Sequence, residues 1–579
     1  MKKLLIVLIL VTSCAKKSPY VDFDFTTTFE SSEGQETATY PEVIEYYKAL
    51  ADTYSEISID SMGLSDSGEP LHFVTYNPSS NGTDFNTLRK EHSILLINNG
   101  IHPGESDGID ATMMLYRDLA QNKIDSPENL ILVTIPVYNI GGSLNRNSGT
   151  RTNQNGPKSY GFRGNAQNYD LNRDFIKADT RNAQAFAQIF NTIQPDAFID
   201  NHVSNGADYQ YTLTHLFTQH NKLGGPQGTY LHEFLMPQLE KDLLDNNWDI
   251  TPYVNVFNRV PETGFSQFMD SPRYSTGYTT LFNTLGMMVE THMLKPYKKR
   301  VESTYQLMKS MITIVDSNSE TIKSLKQDQL NFWQSSSYYP TQWAIDTTKT
   351  STLNFKGYEG TYLESSLTGG QRLKYDQSKP FTKPVTYSNY FKATDSISIP
   401  EAYIIPKGWH HVIDRLTENG IAMQQFEKDT MIKVEQYKIK DYKTRTRPYE
   451  GHYSHYRTTV SSKETELQFY KGDYIVKTAQ PGIRYLIETL EPTAVDSFFN
   501  WNYFDTVLQQ KEGFSPYVWE DKASELLRAN PQLQIDFNLK KTYDSDFANN
   551  WYAQLDWLHK QSNNYEKAHM TYPIFRVAK

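Results

Sequence analysis

Along the chain, short unbroken apolar runs alternate with stretches of helical spacing. Ile94-Leu95-Leu96-Ile97 and Leu130-Ile131-Leu132-Val133-Thr134-Ile135-Pro136-Val137 are two such runs; Ala197-Phe198-Ile199 and Leu285 to Val289 are two more. A strand buried on both faces needs no polar alternation, so these read as strands of a covered sheet. Between them, Ile109, Met113, Tyr116 and Ala120 recur at helical spacing. Asp179 and Thr180 offer caps for a helix whose apolar face is Ala183, Phe186, Phe190 and Ile193, and Val301, Tyr305, Met308, Ile312 and Val315 line a long closing helix. The pattern predicts an α/β fold, a mostly parallel or mixed sheet wrapped by helices, with its site beyond the carboxyl ends of the strands.

Around Ser317 to Ser337 the chain turns polar and Ser-rich. Beyond it, alternation of the kind in Leu467 with Phe469 and Tyr474 with Val476 predicts strands, and His410 to Asn419 and Thr542 to His559 are helix-like. With 579 residues the chain exceeds what one core supports. The expected organisation is a signal segment over 1–14, a polar tether over 15–39, a site-bearing domain over 40–320, a linker over 321–337, and an α+β or mainly β domain over 338–579 to which no role is assigned.

Composition adds two constraints. A hydrophobic share of 38% and a charged share of 21% are those of globular domains, and the net charge of -10 comes without any basic block, which excludes nucleic acid as the expected partner. At the N-terminus, Lys2 and Lys3 precede the apolar run Leu4 to Val11, too short to span a bilayer and built like a secretory signal. Val11-Thr12-Ser13-Cys14 resembles the bacterial lipobox, and Cys14 is the sole cysteine. The expectation is an exported protein, lipidated on Cys14 and anchored to a membrane of the bacterial cell envelope on its periplasmic or surface side. A chain with one cysteine forms no internal disulfide.

The chemistry centres on His102-Pro103-Gly104-Glu105, directly after a buried strand and before a helix. With 14 His in the chain, chance alone yields about one His-x-x-Glu pair, so position carries the weight. Imidazole and carboxylate are zinc ligands, and a catalytic site needs a third protein ligand plus an open position. His202, after the run Ala197 to Ile199, supplies that ligand, and Glu290, ending the run Leu285 to Val289, is placed to act as a general base. His410, His411, His452 and His455 lack acidic or cysteine companions at ligand spacing and read as ordinary surface or core histidines.

Together with Asp170-Leu171-Asn172-Arg173, these residues resemble the zinc carboxypeptidase family, the fold of pancreatic carboxypeptidase A and its bacterial relatives, from about Tyr40 to Val315. The resemblance implies one zinc per chain on His102, Glu105 and His202, with Asp170 orienting His102 and Glu290 as base. It implies Asn172 and Arg173 gripping the terminal carboxylate of a peptide with a free C-terminus, and Arg163 polarising the scissile carbonyl. The tyrosine that caps the substrate in that family is not fixed by spacing; Tyr274 and Tyr278 are the candidates. The implied activity is removal of C-terminal residues from peptides. A same-fold amidase or peptidase acting on peptidoglycan stem peptides, and an inactive binding lipoprotein, are the alternatives.

Overall fold

The computed structural model describes residue 20, residues 22–80, residue 82 and residues 84–579. The signal segment and Cys14 lie outside the described residues. The described residues fall into two compact units: one of those up to residue 335 with 343–394 and 418–420, the other of residues 336–342, 395–417 and 421–579.

The first unit is built on an eight-stranded mixed sheet. Its strands are β1 (Ile57–Leu64), β2 (Pro70–Tyr76), β3 (Ser93–Asn98), β4 (Leu130–Ile135), β5 (Ala197–Ser204), β6 (Leu213–Phe217), β7 (Ile250–Pro252) and β8 (Leu285–His292). Their spatial order is β1-β2-β4-β3-β5-β8-β6-β7. The four central strands, β4, β3, β5 and β8, run parallel. Pairing is antiparallel between β1 and β2, β2 and β4, and β8 and β6, so the sheet is mixed. Every residue of β3, β4 and β5 is buried, as continuous apolar runs covered on both faces require.

The helices follow the apolar spacing of the sequence. Asp107–Ala120 follows β3 directly and is buried along nearly its whole length. Arg181–Ile193 is capped by Thr180, whose hydroxyl accepts from the Ala183 N–H. Tyr297–Ser317 buries Val301, Leu307, Met308, Met311 and Val315 and packs on Asp107–Ala120.

Three boundaries differ from the sequence reading. The described part of the tether is packed, not loose: Thr28–Ser31 is a capped helical turn, and Phe29, Thr37 and Ala38 are buried. Residues 321–337 are not a linker, because Ser319–Ser335 is a helix that buries Ile322 and Trp333 about three turns apart on one face. The first unit also extends past residue 320. A long antiparallel hairpin, Ser351–Glu364 with Gln371–Ser388, joins it through a parallel pairing of Tyr387 with Phe265 and a bridge from Gly357 to Tyr209. Phe355, Val385 and Tyr387 form one apolar cluster with Tyr209, Tyr211, Val254, Val256 and Phe265.

The second unit is α+β. Six strands form its sheet in the order Gln424–Gln425, Tyr474–Lys477, Ala402–Ile405, Thr571–Val577, Thr430–Thr444 and His455–Phe469. Ile404, Val434 and Phe469 centre one core, and Trp519, Leu533 and Leu555 a second one among helices.

Candidate active site

The carboxyl ends of the parallel strands bring the sequence-predicted residues together. His102 and Glu105 sit in the turn after β3, His202 near the end of β5, and Glu290 near the end of β8. β5 and β8 are paired in register with His202 opposite Glu290, which places the two side chains next to each other on one face. Gly104 lets this turn close: a Cβ there would meet Arg151 Cδ at 2.5 Å.

His102, Glu105 and His202 are all buried and present ligand atoms within 4.8 Å of one another. His102 Nδ1 is 3.2 Å and His202 Nδ1 3.1 Å from Glu105 Oε2. The other ring nitrogens are committed: His102 Nε2 lies 2.9 Å from Asp170 Oδ1, and His202 Nε2 2.9 Å from Asp200 Oδ2. An ionised carboxylate only accepts, so both Nε2 atoms carry protons and both Nδ1 atoms turn toward Glu105. Such carboxylate partners fix ring orientation and raise ligand basicity at metal sites.

The electrostatics fit a cation. Burial opposes charge on His202, yet Asp200, then Glu105 and Glu290, outweigh it and hold the imidazole well above its usual range. Burial also works against the Glu105 carboxylate, but His102 and Arg151 hold it well below the usual range. Two imidazoles and one carboxylate are the donor set of catalytic zinc sites. Among the described residues this is the one group with metal-ligand geometry. His410, His411, His452 and His455 form no such group, and His455 instead lies 2.9 Å from both Thr444 Oγ1 and Asp505 Oδ1.

A cavity of about 550 Å³ opens on this group and is lined by His102, Glu105, His202, Arg163, Asn172, Arg173, Tyr274 and Glu290 among others. Arg163 reaches across its edge, with Nη2 2.8 Å from Asp170 Oδ2 and Nη1 3.5 Å from Glu105 Oε1. Asn172 is buried; its Oδ1 accepts from the Ser275 N–H at 3.1 Å, while its Nδ2 meets only the Met288 sulfur at 3.9 Å. The Arg173 guanidinium lies 4.5 Å from the centre of the Tyr274 ring. Burial, opposed in part by His202, pushes the Glu290 carboxyl up to about 7.

One candidate is displaced. Tyr278 does not line the cavity: it is fully buried among Phe175, Phe190 and Phe282, with its hydroxyl donating to Asn419. It stands four positions after Tyr274, and of the two only Tyr274 lines the cavity. Conversely, Arg151, Leu216, Tyr253, Phe268 and Met288 line the cavity without having carried any sequence signal. Arg151 and Tyr253 stand in irregular segments with no motif, and Met288 sits inside an apolar run.

No protein-family model matches the chain. In sequence it is 22% identical over 512 residues to carboxypeptidase 2 of Trichophyton rubrum, covering 83% of this chain and 87% of that one. Carboxypeptidase 2 of Trichophyton tonsurans is 24% identical over 425 residues, covering 69% and 72%. Solved structures similar to this chain include a metallo-carboxypeptidase from Burkholderia cenocepacia (15% identity, 48% of this chain and 70% of that one, TM-score 0.36). Another is carboxypeptidase A from Helicoverpa armigera (13% identity, 48% and 74%, TM-score 0.37).

Proposed function

We propose that this protein is a zinc carboxypeptidase that removes single residues from the free C-termini of peptides. The observation that carries this reading is the buried Asn172 amide, its donor nitrogen met only by a thioether, in the same cavity as the Arg173 guanidinium and the three-ligand group. A carboxylate is the partner that an amide donor and a guanidinium jointly favour. His102, Glu105 and His202 would hold the metal, which when bound supplies Lewis-acid polarisation of a carbonyl and acidifies water.

The chain's own residues do the rest. Glu290, half-buried and held to a high pKa, takes a proton from the attacking water and delivers it to the departing amine. Arg163, braced by Asp170, contributes positive charge where the carbonyl oxygen becomes negative. Asn172 and Arg173 hold the terminal carboxylate, and Tyr274 stands over that grip at the rim. The test is a pair of peptides differing only in a free or amidated C-terminus, assayed with and without a chelator. The free acid should be cut at least about a hundredfold faster, since the amide cannot offer the half-buried Arg173 guanidinium the charged carboxylate partner that it and the Asn172 amide favour. Equal rates for the two peptides would overturn the reading.

We also propose that Cys14 carries a lipid that anchors the mature enzyme in the cell envelope. The basic start, the short apolar run and the position of the sole cysteine support this. No helix among the described residues is long and apolar enough to cross a membrane.

A further inference from the structure

The second unit carries a charged surface that the catalytic reading leaves unused. Its strands Thr430–Thr444 and His455–Phe469 pair as an antiparallel hairpin, and the connecting end, residues 438–457, holds six cations. Lys438, Lys440, Lys443, Arg445, Arg447 and Arg457 are set against only two acids, Asp441 and Glu450, an excess of four positive charges in a chain whose net charge is -10. Other residues separate the cations, so no run of like charge stands out in the sequence. All six are exposed. None of them forms an ion pair among the described residues, whereas Lys433 on the same hairpin meets Glu464 at 2.7 Å.

The fold gathers part of this charge on one side. Lys443 pairs directly with Tyr456 and Thr444 with His455, and neighbours along a strand point to opposite faces. The inner face is fixed by packing: Thr444 Oγ1 lies 2.9 Å from His455 Nδ1, His455 Nε2 lies 2.9 Å from Asp505 Oδ1, and Tyr442 meets Phe499 edge to face. Lys443 and Tyr456 take the other face, where the Arg445 guanidinium lies 5.5 Å from the centre of the Tyr456 ring. A cavity of about 370 Å³ at this end is lined by Arg445, Arg447, Tyr449 and Tyr456 among others. Tyr456 is 38% exposed and Tyr453, near the turn, 54%, so the cations stand beside aromatic rings that the protein itself leaves largely uncovered.

We propose that this end of the hairpin is a docking surface for the anionic headgroups of a lipid bilayer, with Lys443, Arg445 and Arg447 meeting phosphate and Tyr456 settling at the boundary between headgroup and water. Clustered Lys and Arg are drawn to the negative potential of anionic lipid. Tyrosine favours the membrane interface, where its ring is covered and its hydroxyl stays wet. A partner recognised by charge alone would leave the exposed rings without a role. The surface works whether or not Cys14 carries a lipid, and it is separate from the candidate active site.

The test is flotation of the full chain with vesicles of phosphatidylcholine, alone or mixed with about 30% phosphatidylglycerol. Every protein compared carries Cys14→Ser, so that no acyl chain contributes. At about 0.1 M salt the chain should partition onto the anionic vesicles at least about tenfold more strongly than onto the neutral ones, and about 0.5 M salt should remove the difference. Lys443→Gln, Arg445→Gln and Arg447→Gln together should bring anionic binding down to the neutral level with an unchanged thermal melt. Lys48→Gln, Lys299→Gln and Lys522→Gln together remove as much charge from exposed positions elsewhere and should leave binding as in the parent. Equal binding to the two vesicles, parent-like binding by the first triple variant, or an equal loss in the second would each overturn the proposal. Binding of soluble polyphosphate at these residues without vesicle binding would also overturn it, and would make the ligand a free polyanion.

Discussion

Arg151 Nη1 donates to Glu105 Oε1 at 2.9 Å, from a loop far along the chain from the His102–Glu105 turn. The same loop is tied down by Gln154, whose Nε2 donates to the Gly104 carbonyl at 2.8 Å. Oε1 is thereby occupied, and Oε2 is the oxygen left facing both imidazoles.

Arg151→Gln should therefore loosen the metal rather than disable the chemistry. Loss of an outer partner of a metal-binding carboxylate typically weakens affinity by about 10- to 100-fold. Competition with a chromogenic chelator gives the zinc dissociation constant directly. An unchanged constant in the variant would show that Glu105 needs no such support.

Glu290→Gln should keep zinc and lose turnover by about a hundredfold or more, since the amide cannot take a proton. The parent's kcat/KM should fall on the acid side as Glu290 becomes protonated. Burial raises that pKa toward 7, and a bound cation draws it back down, so the limb belongs between the ordinary carboxylate range and 7. Residual activity of the variant should lack this limb. A pH profile identical in shape to the parent's would assign the titration to another group.

Asp110 gives a stability prediction remote from the ligands. Burial pushes its carboxyl up to about 7, against help from Thr37, Tyr297 and the Ala38 N–H. A carboxyl whose pKa is raised by folding stabilises the native state fully below its unfolded value and loses that contribution as pH rises through the folded one. Urea midpoints of the parent should fall as pH goes from about 4 to about 7 on this account, and Asp110→Asn should flatten the slope. Parallel slopes in the two proteins would exclude Asp110 as the source.

Cys14→Ser should release the protein from the membrane fraction of an expressing bacterium, because the lipid site is gone while the signal-like run stays. Retention of the variant after a high-salt wash, equal to that of the parent, would defeat the lipid anchor.

The central strands and the ligand group were readable because each lies where a fully apolar run meets polar residues. Runs such as Leu285 to Val289 announce burial on both faces, and polar residues at their ends can only be site or turn. β1 was not readable: its burial alternates irregularly at the edge of the sheet, so no period stands out. The Ser-rich composition of residues 321–337 masked a helix, since Ile322 and Trp333 supply its face through spacing rather than content. Met288 was hidden for the opposite reason. In an apolar run every residue reads as core, and only the register with β6 reveals that it faces a cavity. Tyr274 and Tyr278 are equivalent in sequence, and packing alone separates the rim residue from the core one.

The hairpin that packs Phe355, Val385 and Tyr387 against Val254 and Val256 places a late segment of the chain beneath the cavity wall formed by Tyr253, Asn255 and Phe257. A shortened gene product ending near residue 320 would lack Phe355, Val385 and Tyr387, and should leave Tyr209, Val254 and Phe265 uncovered as a sticky aromatic face.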